Sequence, residues 1–414
     1  MTAIRQLDLE RRLRMAEVDD GELVNLLTRF FPLGRYTTAR EIELTNGSIT
    51  LTVVYSRRTG RICGLIPAEG FPEELVAQIE TEIEDKLVSA PVPKVARFVL
   101  YAHVPVVGYW RYRDRIVLRQ VPAGSPQPPH ETADHPLICE IQFDGAVDPW
   151  VNSLRSGREP RQLALLLTLL VPGLRLAGQS AQGWILIPTL SALNPEAPMP
   201  EMRSEYAQQG YYVPGMLNGR PDSLSEQDGL PDIALGPIPR GIEDGATLTL
   251  REDMATYLDT YLQLTPDDRR KLLRAAYWLH LARKVFADSH SASFQSLVQA
   301  VEALTTVPSG QPKCPECDRV IGVGPTRLFQ KFVAKHAPPT EGSDDERTHK
   351  LLYETRSQLT HGNSLLEVDE ETGFVTPTPT RIAEGQLHEK AAEVCRAAVL
   401  GWLRSHAPDE AAFA

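Results

Sequence analysis

At 414 residues, with 42% hydrophobic and 23% charged content, the chain has ordinary globular composition and a length suited to two or three domains. Its net charge of −11 is uneven: residues 265–407 hold 18 basic and 18 acidic side chains, so the acidic excess lies elsewhere. A net acidic chain therefore gains little from bulk attraction to a phosphate backbone, and any nucleic-acid contact must rest on a local basic feature. The longest apolar run, Leu163 to Leu174, is shorter than the ~18 to 20 residues a membrane span needs, and the N-terminus shows no apolar core of a signal peptide. A cytosolic protein without a membrane partner is expected. Five cysteines in a chain of this length do not suggest a disulfide scaffold.

Residues 1–187 read as a mixed α/β domain with antiparallel strands. Asn46-Gly47 sits between two β-rich runs, a hairpin signal, and Thr59-Gly60 reads as a second turn. Leu75, Ile79, Ile83 and Leu87 recur at helical spacing behind Pro72, which suits the first turn of an amphipathic helix. Strand-like sequence returns from Lys94 to Val121, and a Pro-rich stretch over residues 121–136 reads as a surface loop. A strand at "LICEIQF", a helix at "PRQLALLLTLL" and a strand at "GWILIP" complete this part. Residues 188–246 are rich in Pro and Gly and read as a connection.

Residues 247–407 read as an all-α bundle, giving an α+β protein as a whole. Pro266 with two acidic first-turn residues opens a helix on which Leu272, Ala276, Leu279 and Phe286 keep helical spacing. Phe294, Leu297, Val301 and Leu304 mark the next. A third follows at "GPTRLFQKFVAKH", a fourth at "SDDERTHKLLYETRSQLTH" and a fifth at "QLHEKAAEVCRAAVLGWLRSH".

The fourth helix carries the most chemistry. Ser343 to Glu346 fits a capping box, and Gly362 fits the left-handed residue after a helix end, which places His361 at the last helical position. Arg356 borders the less polar stripe of Thr348, Leu352, Thr355 and Leu359, so it needs a carboxylate, a phosphate or a route to solvent. Five residues apart on a regular helix, Arg356 and His361 diverge by about 140°. A site using both requires the histidine to leave helical geometry, or a second copy of the helix across a dimer axis.

Spacing alone says little, because Arg97 with His103, Arg274 with His280, Arg283 with His290 and Arg381 with His388 also have four to six intervening residues. The context is more distinctive: "SFQSLVQAVEAL", then "LLYETRSQLTHG", then one further amphipathic helix. This order resembles the Apea-like HEPN family, most closely over about residues 265–407 and more faintly at "HPLICEIQFDGAVDPWVNSLRSGREPRQLALLL". The resemblance implies a HEPN-type helical bundle and metal-independent RNA cleavage by a homodimer formed through the C-terminal domain, in prokaryotic anti-phage defence. His361 would move protons and Arg356 would stabilise charge on phosphoryl oxygens, with no cofactor required. Ser357 falls where the family favours a small or polar residue, and Glu302 is a candidate to orient Arg356. The N-terminal domain would sense or restrain. A non-catalytic dimerisation or ligand-binding module is the main alternative.

Two further features bear on function. Cys314 and Cys317 have zinc-knuckle spacing but supply half a site, which His336, Cys395 or a second protomer would have to complete. A zinc-stabilised interaction protein is thus a second alternative. In "YWRYRDRIVLR", a continuous strand would place Arg111, Arg113 and Arg115 on one face, able to follow an RNA backbone or to pair with nearby acids. No P-loop, H-E-x-x-H or G-x-S-x-G motif is present, so readings as a nucleotide triphosphatase, zinc protease or serine hydrolase have no starting residue.

Overall fold

A computed structural model describes residues 6–13, 18–57, 60–123, 125, 135–176, 182–188, 202–208, 221–237, 245–305, 324–338, 345–362, 364–370 and 378–407. The chain is mixed, with antiparallel sheets in the N-terminal part and helices in the C-terminal part. Among the described residues no helix is long and apolar enough to cross a membrane. Two compact units emerge: Met1–Ala96 with Ile141–Arg161 and Arg220–Leu224, and Arg97–Glu140 with Gln162–Gly219 and Ser225–Ala414. Both differ from a simple cut at residue 187, because the strand His135–Gly145 and the helix Pro149–Leu170 each run from one unit into the other.

The first unit holds helices α1 (Gln6–Arg12), α2 (Asp20–Phe30) and α3 (Glu73–Ile83) with a four-stranded meander, β1 (Leu33–Thr38), β2 (Glu41–Thr45), β3 (Thr50–Tyr55) and β4 (Ile62–Pro67). The β2–β3 hairpin turns at Asn46-Gly47, where Gly47 has φ +92° and the Asn46 side chain accepts from the Ser48 and Ile49 amides. Pro72 precedes α3 with extended backbone, and Val76, Ile79 and Ile83 turn inward against Leu27, Phe31, Leu51 and Leu65. One further turn, the π-helical Glu84–Val88, buries Leu87 on the same side. Glu22 is buried beneath Arg155, whose Nη2 lies 2.9 Å from its carboxylate, and Arg158, at 2.8 Å.

β5 (Val92–Ala102), β6 (Tyr109–Tyr112), β7 (Ile116–Gln120), β8 (His135–Gly145) and β9 (Leu174–Arg175) make a second sheet in the order β6-β7-β8-β5-β9. β10 (Gln182–Pro188) pairs antiparallel with β11 (Met202–Gln208), so a strand falls inside the stretch whose composition suggested only a connection. Most of the Pro-rich stretch 121–136 lies outside the described residues. In the second unit Glu140 of β8 is fully buried and receives Arg97 Nε at 2.7 Å, Ser225 Oγ at 2.8 Å and the Ser225 amide at 2.6 Å.

After the C-terminal part of α4 (Pro149–Leu170) come α5 (Met254–Gln263), α6 (Pro266–Val285), α7 (His290–Glu302), α8 (Pro325–His336), α9 (Asp345–Thr360), the short α10 (Glu367–Glu370) and α11 (Pro379–Arg404). α6 begins as its sequence dictates, with the Thr265 hydroxyl accepting from the Asp268 amide and Pro266 in the first turn. α11 touches α5, α6, α7, α8 and α9, and its Ala391, Cys395, Ala398, Val399 and Leu403 are buried. Small residues let neighbours approach closely: a Cβ at Gly401 would overlap the His336 carbonyl at the end of α8. The α7 N-terminus is held by Asp369 of α10, whose carboxylate accepts from the Ser289 hydroxyl at 2.8 Å and from the His290 and Ser291 amides at 3.0 and 2.7 Å. The Leu366 amide donates back to the Ser291 hydroxyl at 2.9 Å.

Candidate active site on α7 and α9

α7 and α9 pack against each other, and this contact decides the environment of Arg356. His349, Leu352, Tyr353 and Leu359 form the buried face of α9, with Arg356 on its margin and 16% of its side-chain surface exposed. Its Nη2 donates to Glu302 Oε2 at 2.8 Å, from the last residue of α7. The guanidinium carbon lies 5.6 Å from the Tyr353 ring centroid, and Nε is buried without a hydrogen-bond partner among the described residues. Burial, followed by the charge of Glu302, raises the Tyr353 phenol above its ordinary pKa. Glu302 thus holds the Arg356 guanidinium, while Phe329 of α8 packs on the Tyr353 ring with centroids 5.3 Å apart.

His361 has a different setting. α9 ends at Thr360, and His361 follows in an exposed turn, its amide donating to the Ser357 carbonyl at 3.1 Å. Gly362 takes φ +67°, the left-handed conformation expected of a residue closing a helix. Ser357 is half-buried one turn earlier. Among the described residues no hydrogen bond or ion pair joins His361 to Arg356. Within one chain the fold brings Arg356 to Glu302 and leaves the imidazole in solvent.

Other candidates distribute unevenly. Cys314, Cys317 and the start of the capping box at Ser343 lie outside the described residues. Cys395 is fully buried, and burial pushes its thiol up to about 12, which opposes the thiolate zinc requires. His336 ends α8 with its ring 4.6 Å from Phe332, and burial lowers its pKa. Among the described residues no group of three or more His, Cys, Asp or Glu side chains could hold a metal ion.

The arginine row does not form one strand face. "YWRYRDRIVLR" folds as the β6–β7 hairpin, and Arg113 to Arg115 occupy its turn, with Arg113 at φ +48°. Arg111 bonds to Asp114 at 2.7 Å, and Arg113 pairs with Asp259 at 2.6 Å, so acids already engage these two guanidiniums.

A second constellation was not evident from local motifs. Thr168, Leu169 and Arg175, Ala276, Leu279, His280 and Arg283 of α6 with Phe286 at its end, Ser293 and Leu297 of α7, and His388 and Arg396 of α11 line a pocket of about 410 Å³ within the second unit. The available signal was Arg283 itself: it falls on the stripe of Leu272, Ala276, Leu279 and Phe286, where a helix facing a purely apolar core would carry another apolar residue. No protein-family model, curated protein or solved structure matches this chain.

Proposed function

We propose that the protein is a metal-independent endoribonuclease of HEPN type, acting as a homodimer in the cytoplasm during anti-phage defence or growth arrest. The observation that carries this reading is the pairing of a half-buried Arg356, held in place by Glu302, with an exposed His361 at the glycine-closed end of the same helix. A fixed guanidinium suits stabilisation of charge on a phosphoryl oxygen, and an exposed imidazole suits proton transfer. The ribose 2′-oxygen attacks the adjacent phosphorus as its proton is removed. The bond to the 5′-oxygen breaks, that oxygen takes up a proton, and a 2′,3′-cyclic phosphate remains. Since Arg356 and His361 do not meet within one chain, the reading calls on the imidazole and guanidinium of two protomers.

The test is cleavage of tRNA, rRNA and mRNA in EDTA. The expected result is cyclic-phosphate ends from the wild type and loss of cleavage in both Arg356→Ala and His361→Ala. Full activity in either variant, or a strictly monomeric protein at micromolar concentration, overturns the shared-site reading.

A non-catalytic module is the second reading, favoured by the fact that Glu302 already neutralises Arg356. It predicts intact RNA under every condition while the bundle still self-associates. A zinc-stabilised protein built on Cys314 and Cys317 predicts stoichiometric metal by elemental analysis and loss of order on chelation.

A further inference from the structure

The pocket between α4, α6, α7 and α11 has the size of a small-molecule site, about 410 Å³. Its wall is largely apolar, with Leu169, Leu279, Leu297 and Phe286, yet three arginines, Arg175, Arg283 and Arg396, also line it. Arg283 spends Nη1 on the Leu174 carbonyl at 2.9 Å, and Arg396 spends Nε on the Leu169 carbonyl at 2.9 Å. Arg396 Nη2 is buried with no partner, and among the described residues neither arginine has a carboxylate in ion-pair contact. Glu389 and Glu393 also line the pocket, and Glu393 lies 3.8 Å from Lys390.

Such an arrangement is costly when empty. Arg283 is exposed and Arg396 half-buried, so the arginines repel one another across a space that water only partly screens, and no ion pair to Arg283 or Arg396 offsets that repulsion among the described residues. Crowding by surrounding atoms, then the charge of Arg175, lowers the Arg283 pKa, an effect that solvent at its exposed side chain moderates. Burial and then Arg283 depress Arg396 well below its ordinary value. The unused N–H groups fit a tetrahedral dianion, which accepts several arginine donors at once.

Aromatic rings also line the pocket, with Phe286 one helical turn beyond Arg283 and His388 on α11 with Arg396. The Phe286 and His388 rings are 4.8 Å apart. Ser293 Oγ donates its one proton to the Ala282 carbonyl at 2.8 Å, so at its 2.8 Å contact with His388 it accepts from Nε2–H, leaving Nδ1 of the neutral ring without a proton. Rings of this kind flank planar ligands.

From these observations we propose that the pocket binds a small organic phosphate carrying a planar ring, with Arg283 and Arg396 holding the phosphate and the Phe286 and His388 wall flanking the ring. This site is separate from the Arg356 and His361 proposal and does not depend on it. Adenosine 5′-monophosphate is the probe, with inorganic phosphate, glycerol 3-phosphate and adenosine as comparison arms, each titrated calorimetrically into the full chain. The expected result is one adenosine monophosphate per chain, bound at least tenfold more tightly than inorganic phosphate or glycerol phosphate and at least tenfold more tightly than adenosine.

Arg283→Met and Arg396→Met are expected to weaken that binding tenfold or more. Because each removes an unpaired cation, their unfolding midpoints should equal or exceed that of the wild type. Should a variant fail to fold, the His388 ring signals of the wild type provide the reading, since they must shift on titration with the nucleotide. No binding of any probe at millimolar concentration, equal binding by the methionine variants, or unmoved His388 signals overturns the proposal. Equally tight inorganic phosphate overturns the ring-binding part.

Discussion

Replacing Glu302 with alanine separates the structural and chemical roles of the α7–α9 pair. The two side chains keep 16% and 21% of their surface, between the limits for which ion-pair energies are best known. At an effective dielectric near 20 the gross attraction of two unit charges about 4 Å apart is about 4 kcal/mol. Desolvation of both groups offsets part of it. Exposed pairs contribute about 0.2 to 1 kcal/mol, while breaking a fully buried pair costs about 3 to 5, so Glu302→Ala should cost about 2 kcal/mol. With a urea slope near 2 kcal/mol/M, the midpoint falls by about 1 M. Arg356→Ala combined with Glu302→Ala should cost less than the sum of the single changes, with a coupling of about 1 to 2 kcal/mol. If Glu302 acts through Arg356, the single variant also cleaves RNA more slowly yet still measurably. Additive stabilities with unchanged cleavage would refute both the energetic and the positioning argument.

Three further outcomes are expected. Glu140→Ala leaves Arg97 and the Ser225 amide without their acceptor in a fully buried place and should cost about 3 to 5 kcal/mol by denaturant unfolding; a loss below about 1 would contradict the network. Burial, followed by the charge of His290, lowers the His388 pKa to about 4. As pH falls from about 6.5 towards 4 the unfolded chain takes up a proton that the folded ring refuses, so stability declines by up to about 3 kcal/mol, less where water entering the pocket screens the ring, and His388→Phe flattens that slope. Gly401→Ala forces α11 away from the His336 carbonyl and should lower stability by about 1 to 3 kcal/mol, read by thermal unfolding.

Local chemistry made the elements legible. Asn46-Gly47 supplies the conformation its hairpin needs, Pro72 and Pro266 start helices, and Gly362 stops one, because each acts within a few residues of itself. The place of Arg356 beside a buried stripe was likewise readable, since helical period alone sets it, and Glu302 was named as its candidate partner. What escaped depends on contacts distant in sequence. Whether "YWRYRDRIVLR" runs straight or turns at Arg113 is decided by pairing between its own halves, and alternation alone suits both. The burial of Glu140 comes from residues up to 85 positions away, and the arginine pocket assembles four helices that no spacing rule joins.

The clamp of Asp369 on the start of α7 has a consequence for His361. Only residues 362–365 separate the histidine from Leu366, which is itself fastened to Ser291. A linker of this length reaches roughly 17 Å at full extension, and its other end begins at the last turn of α9. The imidazole therefore works on a short leash between two moorings: it can swivel and trade rotamers, but it cannot travel to a distant target. Whatever it acts upon must be delivered to that doorstep, and cutting the Asp369 mooring would loosen the start of α7 together with the Ser291 hydroxyl to which Leu366 is tied.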